Sequence, residues 1–296
     1  MSLKESKTIQ AYGHPVSVPS TVQLPCPVYS DATQSVVDVT TGGLPSPRVT
    51  FDLDDLVTLE FEGSTASVRP KDKIGVRACE HYLVDHAVPH ALTMQNKYVF
   101  HAAGLLKESE SVNKRLGIMI TGESGAGKSS TAASLLNYNW KLLADDGLHI
   151  DISRDKCRMH PSYASIRLNP DVRHVLPANI TSLAGRMAEY SDKLRFDISP
   201  AGYRSQAAQL DLLIVLGEEA KFNVTELGAS EVCVSLAKHL FHPPSDPSKA
   251  IERLDIATPL AVHLRGVKVD FFRSARGIQD LKDWLSEYCT NNDLQR

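Results

Sequence analysis

The sequence predicts an α/β protein in two parts, a small β-rich N-terminal module over residues 1–85 and a larger α/β domain over residues 86–296. Three observations predict this organisation. Short strand-like pieces separated by turn clusters fill about the first 80 residues. Residues 122–129 form a G-x-x-x-x-G-K-S motif between an apolar run and a helix-compatible segment. Two adjacent aspartates, Asp145 and Asp146, end the next apolar run.

The N-terminal module is divided by turn clusters at Pro25 and Pro27 and at residues 41–47, 62–64 and 69–72. Residues 56–61 alternate between apolar and polar, which predicts a half-buried strand. Its partner is expected to include Ser67 and Val68, across a turn at Gly63.

The larger domain shows alternating strand and helix patterns. Helices are predicted over residues 76–90 (ending before Pro89), 130–138, 231–240 and 278–288. Strands are predicted over residues 98–106, 117–121, 141–144, 194–198, 210–216, 222–225 and 267–272, with a polar insert at 107–115 and a hairpin of 148–152 with 157–160 around a turn at 153–156.

The motif at residues 122–129 has the chemistry of a phosphate-binding loop. Gly122 and Gly127 allow positive φ and close approach of the backbone to phosphate oxygens. Lys128 can reach the β and γ phosphates, Ser129 offers a hydroxyl to Mg²⁺, and the following helix directs free amides at the anion. A nucleoside triphosphate with Mg²⁺ is therefore expected to contact Gly122, Glu123, Ser124, Gly125, Ala126, Gly127, Lys128, Ser129 and Ser130.

The acidic pair is expected to face the same phosphates. Two parallel strands joined by one crossover helix end at the same edge of a sheet. Neighbouring strand residues point to opposite faces, so Asp145 and Asp146 are expected to differ in role. One would accept a proton from an attacking hydroxyl while the other holds the metal with Ser129. The alternative is a single metal-binding aspartate beside an idle neighbour.

Composition excludes several classes of protein. A net charge of −3 argues against a strongly basic nucleic-acid binder. Five cysteines without a C-x-x-C pair predict neither a disulfide framework nor a zinc knuckle, so the cytosol is the expected location. No apolar run approaches membrane-spanning length. His81, His86 and His90 are interpreted as ordinary surface or interdomain residues rather than a metal site.

Three runs resemble, in order, the catalytic domain of HPr kinase/phosphorylase: FHAAGL (100–105), GIMITGESGAGKSSTA (117–132) and KLLADD (141–146). That family has a histidine strand, a G-D-S-G-x-G-K-S loop and an A-D-D strand in this order. The segments PSYASIRLNP (161–170) and KLRFDIS (193–199) are similar to the HPr-kinase-related group, which includes kinases encoded with lasso-peptide and other modified-peptide pathways. The resemblance covers about residues 90–275 and is strongest over 100–146.

The resemblance implies a P-loop kinase domain of the HPr kinase/phosphoenolpyruvate carboxykinase-like type, which phosphorylates a serine hydroxyl with ATP and Mg²⁺. It implies that Asp145 is the general base and that His101 lies beside the phosphate; a core histidine is the alternative for His101. Lys193, Arg195 and Arg167 are candidates to clamp phosphate or substrate, or else form a solvated face.

The expected function is therefore an ATP-dependent serine kinase acting on a peptide or small protein, for example the C-terminal serine of a lasso-type precursor. The alternatives are a kinase for free serine and an ATPase or ATP-sensing regulator. Residues 226–229 match poorly the glycine-rich stretch that the family associates with phosphorolysis, so neither that reaction nor HPr as substrate is expected. A homo-oligomer is compatible with the amphipathic segment 278–288.

Overall fold

The computed structural model describes residues 6–19, 49–53, 57–62, 65–70, 81–109, 114–153, 156–188, 191–217, 219–241 and 249–291. The predicted turns at 41–47, 63 and 153–156 and the predicted helix start at residue 76 lie wholly or partly outside these ranges.

The described strands and helices follow one another along the chain as in an α/β protein. The strands are β1 (Ser6–Ala11), β2 (His14–Pro19), β3 (Val49–Leu53), β4 (Val57–Glu62), β5 (Thr65–Pro70), β6 (Val99–Phe100), β7 (Ala103–Ser109), β8 (Lys114–Thr121), β9 (Trp140–Ala144), β10 (Leu148–Ser153), β11 (Lys156–His160), β12 (Ser165–Leu168), β13 (Thr181–Ala188), β14 (Ser191–Asp197), β15 (Ala208–Gln209), β16 (Leu212–Gly217), β17 (Asn223–Leu227) and β18 (Arg265–Asp270). The helices are α1 (Val88–Met94, after a π-helical turn Leu83–Ala87), α2 (Lys128–Leu136), α3 (Ser199–Gly202), α4 (Ala229–His239), α5 (Lys249–His263) and α6 (Ala275–Asn291), and a 3₁₀ turn spans Pro170–Val175.

A six-stranded sheet in the order β17-β18-β16-β8-β7-β9 organises the larger domain. Strands β18, β16 and β8 are parallel, and β7 runs antiparallel to both β8 and β9. Strands β8 and β9 therefore point the same way with β7 between them. Their carboxyl ends share one edge, as the crossover argument predicted, and β7 begins at that edge.

Helices α2 and α6 lie over this sheet because each presents an apolar face to it. Ala132, Leu135, Leu281 and Leu285 are buried in the same cluster as the sheet residues Ile118 and Ile214. The predicted helix at 278–288 lies within α6. Its apolar face packs within the subunit, and the homo-oligomer stays a prediction.

The N-terminal elements contribute to a second core. Strands β3, β4 and β5 form an antiparallel sheet in which β4 pairs with β5, so the predicted hairpin is confirmed. Tyr12, Leu59 and Phe61 pack with Leu92 and Tyr163 in one buried cluster. The β-rich segment therefore shares its core with residues of the larger domain.

Two predictions about local structure were wrong, and some elements were missed. The helix does not end before Pro89 but continues to Met94, because the π-helical turn before α1 bonds Val88 N–H to Leu83 O and places Pro89 at the start of a new α-helical segment. The predicted strand 98–106 is broken at His101, with β6 and β7 joining different sheets. Helix α5 and strands β12 and β13 were not predicted.

Among the described residues, no helix combines the length and apolar character needed to cross a bilayer.

Candidate functional site

The loop between β8 and α2 has the backbone of an anion-binding turn. Gly122, Gly125 and Gly127 have φ of 151°, 78° and 82°. A Cβ added at Gly125 would meet no atom within 4 Å, so this glycine is needed for its conformation rather than for space inside the protein. Helix α2 begins directly after Gly127, where its first amides are free to bind an anion.

Lys128 lies over this loop. Its Nζ donates hydrogen bonds to Gly122 O at 2.9 Å and Glu123 O at 3.2 Å. Burial lowers the pKa of Lys128, and the charges of Asp146 and Asp145 oppose that effect. An ammonium group beside the loop amides is placed to meet a phosphate oxygen.

Asp145 lies at the end of β9 and faces the start of α2. Its Oδ1 accepts a hydrogen bond from Ser129 Oγ at 3.0 Å, and its Oδ2 accepts one from the Arg167 amide at 3.3 Å. Burial, reinforced by the neighbouring charge of Asp146, raises the pKa of Asp145 to about 7. The carboxyl group is thus poised between its two protonation states near neutral pH.

Asp146 has a different environment. It adopts a left-handed backbone conformation with φ of 62°, and its carboxylate forms an ion pair with Arg167 Nη1 at 3.5 Å. Burial, the largest single influence, would raise the pKa of Asp146, but the neighbouring charges of Arg167, His101 and Lys193 together leave the pKa below its ordinary value. The two aspartates therefore have different partners, and their different roles stay a prediction.

The metal ligands expected from the sequence were Ser129 and Asp146, yet in the structure the Ser129 hydroxyl contacts Asp145. These groups are oxygen donors of the kind that Mg²⁺ prefers, and Mg²⁺ in nucleotide sites needs only one or two carboxylates besides phosphate and water. The donor set therefore fits Mg²⁺. Among the described residues, no group of three or more His, Cys, Asp or Glu side chains is arranged to hold a metal by itself.

His101 lies at the same edge of the sheet, at the break between β6 and β7. Its backbone N–H donates to His239 O at 2.6 Å, and its ring contacts the Phe241 ring. Burial lowers the pKa of His101, and the charge of Asp146 and a hydrogen bond to the Asp146 backbone oppose that effect. The structure thus places His101 beside the acidic pair.

The three candidate clamp residues do not act alike. Lys193 is half-buried, and its charge lowers the pKa of both Asp145 and Asp146, so it lies near the carboxylates. Arg167 pairs with Asp146, as described above. Arg195 is only 2% exposed; its Nη2 bonds Asp85 at 2.6 Å and its Nη1 bonds Ser165 Oγ at 2.7 Å. The expectation that Arg195 clamps phosphate or substrate is therefore corrected, because its guanidinium is engaged inside the protein.

Asp85 is the centre of a buried network that the sequence did not reveal. It accepts hydrogen bonds from Arg195, His81 and Tyr163 and lies 3.8 Å from Arg167 Nη1. Burial would raise the pKa of Asp85, but the charges of Arg195, His81 and Arg167 and the hydrogen bond to His81 together lower it and keep the carboxylate ionised. The network fixes the arginine that pairs with Asp146.

The histidines of the first helical segment are not surface residues. His81 and His90 are buried, and His81 Nε2 lies 3.0 Å from Arg167 Nη1. Burial lowers the pKa of His86 to about 3. The surface part of their interpretation is corrected, because the segment packs against Tyr163 and Phe241 from later in the chain. The interdomain alternative is compatible with this burial.

Two further cationic side chains contact the loop at residues 122–129 from the second half of the chain, and a histidine lies near Lys128. Lys238 forms an ion pair with Glu123, and Arg273 Nη1 donates to Gly125 O at 2.8 Å. Burial lowers the pKa of His239 to about 4, and the nearby charge of Lys128 adds to this effect. No spacing in the sequence links these positions to the loop, more than 100 residues away, so only the fold could find them.

Comparisons with known proteins do not show which family the chain belongs to. No family model matches the chain, and no curated protein matches it. Among solved structures, the HPr(Ser) kinase/phosphatase from Coxiella burnetii matches 64% of this chain and 95% of its own, at 12% identity and a TM-score of 0.34. A likeness at this TM-score does not establish a shared fold. The chain itself has an α/β architecture with a glycine-rich loop, an acidic pair and a lysine at one edge of its main sheet.

Proposed function

We propose that this protein is an ATP-dependent kinase that transfers the γ-phosphoryl group to a serine hydroxyl. The observation that carries the proposal is the convergence of Lys128, Ser129 and Asp145 at the carboxyl edge of the sheet, with Ser129 Oγ and Asp145 Oδ1 3.0 Å apart. Phosphoryl transfer needs positioning and charge stabilisation more than covalent chemistry, and this edge supplies both.

The loop amides and Lys128 would bind the phosphates. Mg²⁺, when bound, neutralises charge on the transferred group, and Ser129 with one carboxylate would hold it. Asp145 would accept the proton of the attacking hydroxyl, for which a pKa of about 7 is well matched. Lys193 and His101 would stabilise the charge around the two carboxylates.

The Ser129–Asp145 hydrogen bond supports an alternative assignment of roles. In it, Asp145 holds the cation with Ser129, and Asp146 accepts the proton. Asp145→Asn and Asp146→Asn variants distinguish the two. The variant that needs more Mg²⁺ for half-maximal turnover has lost the metal ligand. The variant that turns over slowly at saturating Mg²⁺ has lost the base.

A peptide or small protein is the proposed acceptor, by analogy with the group that the sequence resembles. A C-terminal serine of a lasso-type precursor is one form of it, and the cytosol is the proposed location. Free serine is the alternative acceptor. A regulator that hydrolyses or senses ATP is the alternative of another class.

The test is mass spectrometry after incubation with ATP and Mg²⁺ and a panel of C-terminal-serine peptides, HPr and free serine, with Asp145→Asn alongside. Phosphate on one acceptor, reduced in the variant, supports the kinase and identifies its substrate class. ADP formed while every acceptor stays unmodified contradicts the kinase and supports the regulatory ATPase.

A further inference from the structure

A pocket of about 550 Å³ is formed by three segments from the second half of the chain. Its walls come from residues 220–222 after β16, residues 271, 272 and 274 after β18 and the beginning of α6. Because β8, β16 and β18 are parallel neighbours, their carboxyl ends lie at one edge of the sheet. The pocket and the loop therefore share the edge at which α/β sheets bind ligands.

Arg273 connects the two. Its Nη1 bonds Gly125 O at 2.8 Å, and a Cβ added at Gly127 would lie 3.1 Å from its Cδ. The residues on either side of it in the chain, Phe272 and Ser274, line the pocket. A molecule anchored on the loop by its phosphates thus has the pocket directly beside it.

The chemistry of the walls suits a planar, nitrogen-rich ring. Phe272 is 64% exposed although it is a large apolar side chain, and Phe222 and Phe271 lie on the same walls. Asp280 supplies a carboxylate that can accept a hydrogen bond from a ring or amino N–H, and Lys221 can donate one. Aromatic stacking with a few placed polar groups is how proteins hold nucleobases.

A second pocket of about 590 Å³ serves as a contrast. It is lined by Leu212 and Arg265, the first residues of β16 and β18. It therefore lies at the opposite edge of the sheet, where a nucleotide anchored on the loop does not reach.

We propose that the pocket beside Arg273 receives the purine base of the nucleotide whose phosphates bind residues 122–129. This inference rests on the proposed nucleotide-binding function and extends it. Phe272 stacks on the base, Asp280 accepts a hydrogen bond from it, and Arg273 lies between the base and the phosphates.

Isothermal titration calorimetry in the presence of Mg²⁺ tests this proposal. Two ligands are titrated separately: ATP and inorganic tripolyphosphate. Phe272→Ala should weaken ATP binding about tenfold, because a stacked base is lost, and should leave tripolyphosphate binding unchanged. Ile251→Ala is the matched control, since Ile251 is 68% exposed on α5 and away from the pocket walls. It should change neither affinity.

Other outcomes separate the pocket from the function. Unchanged ATP affinity in Phe272→Ala, or an equal loss of tripolyphosphate affinity, would overturn the pocket assignment while leaving nucleotide binding intact. If the wild-type protein binds neither ATP nor tripolyphosphate, the proposed function is overturned, and the pocket assignment with it.

Asp280→Asn gives an independent readout that does not depend on stacking. It should change the ratio of ATP to GTP affinity at least about threefold, because replacing one carboxylate acceptor oxygen by an amide donor affects the two bases differently. The wild-type ratio shows which purine the pocket prefers. An unchanged ratio in the variant would contradict contact between Asp280 and the base.

Discussion

The hydroxyl of Ser129 donates a hydrogen bond to the carboxylate of Asp145, joining the first turn of α2 to the end of β9. The two residues are 16 positions apart, and the crossover helix brings them together at the carboxyl edge of the sheet. Because serine hydroxyl and carboxylate oxygens are both ligands for Mg²⁺, this contact marks where a cation would lie beside the loop.

Ser129→Ala is expected to raise the Mg²⁺ concentration needed for half-maximal turnover at least about tenfold, because loss of even an outer-shell partner has effects of this size. Ser129→Thr keeps the hydroxyl and is the matched control. Turnover measured against Mg²⁺ concentration checks both variants. An unchanged Mg²⁺ requirement in Ser129→Ala would remove Ser129 from the cation site.

Asp145→Asn is expected to lower turnover at least about tenfold at saturating Mg²⁺ and to leave ATP affinity nearly intact, if Asp145 is the base. Steady-state kinetics and calorimetry on the same preparation check this. Wild-type turnover in the variant would contradict any role of Asp145 in proton transfer.

Lys128→Ala is expected to weaken both ATP binding and turnover, because its ammonium lies against the loop carbonyls, where it would meet the phosphates of the proposed nucleotide. Arg115→Ala removes one positive charge from the other end of the β7–β8 hairpin and is the control. Calorimetry with ATP should separate the two variants. Similar affinities for both would argue against the phosphate-binding role.

Asp85→Asn is expected to lower the free energy of unfolding by about 3 kcal/mol or more, because it leaves the buried Arg195 guanidinium without its charged partner. Asp283→Asn, on the exposed face of α6, should cost much less. Urea denaturation measures both. Equal small losses would mean that the buried network contributes little to stability.

Gly147→Ala is expected to destabilise the acidic turn, because a Cβ there would lie 2.5 Å from Cε1 of Tyr12 at the tip of the β1–β2 hairpin. The cost should be about 1–3 kcal/mol in the wild-type background. It should be smaller in a Tyr12→Leu background, where the ring is absent. A double-mutant cycle without such coupling would refute the contact between hairpin and turn.

The pH dependence of stability should reveal the raised pKa of Asp145 in metal-free protein. The folded state keeps the proton up to about pH 7, whereas an unfolded aspartate loses it near pH 4. The folded state therefore binds more protons between these values, and this contribution to stability falls as pH rises from about 4 to about 7. The difference in unfolding free energy between wild type and Asp145→Asn, measured in EDTA across this range, should fall and then level off. A difference that does not change with pH would contradict the raised pKa.

Much of the candidate site could be predicted from the sequence because its parts are local. The glycines, Lys128 and Ser129 form one continuous motif, and β8, α2 and β9 are consecutive elements with clear apolar patterns. A crossover between parallel strands then brings Asp145 to the loop whatever else the chain does. The hairpins β4–β5 and β10–β11 were predictable for the same reason.

Predictions from local sequence pattern were wrong where the partners of a residue lie in distant segments of the chain. The strand around residues 98–106 looks continuous, yet Phe100 pairs with β10 and Ala103 with β8, so the chain breaks at His101. Arg195 lies on an alternating strand that suggests a solvated face. In the structure the Arg195 guanidinium is instead buried, because it pairs with Asp85, which lies 110 positions earlier in the chain.

The sequence by itself determined that this chain has an α/β fold with a phosphate-type loop, a lysine, a serine and two aspartates at one sheet edge. Only the tertiary structure decided that Ser129 faces Asp145, that Arg167 pairs with Asp146, and that Arg273 joins the loop to a pocket. The physical reason is range: backbone conformation and strand direction follow from neighbouring residues, whereas side-chain partners and pKa values depend on which remote segments are packed against them.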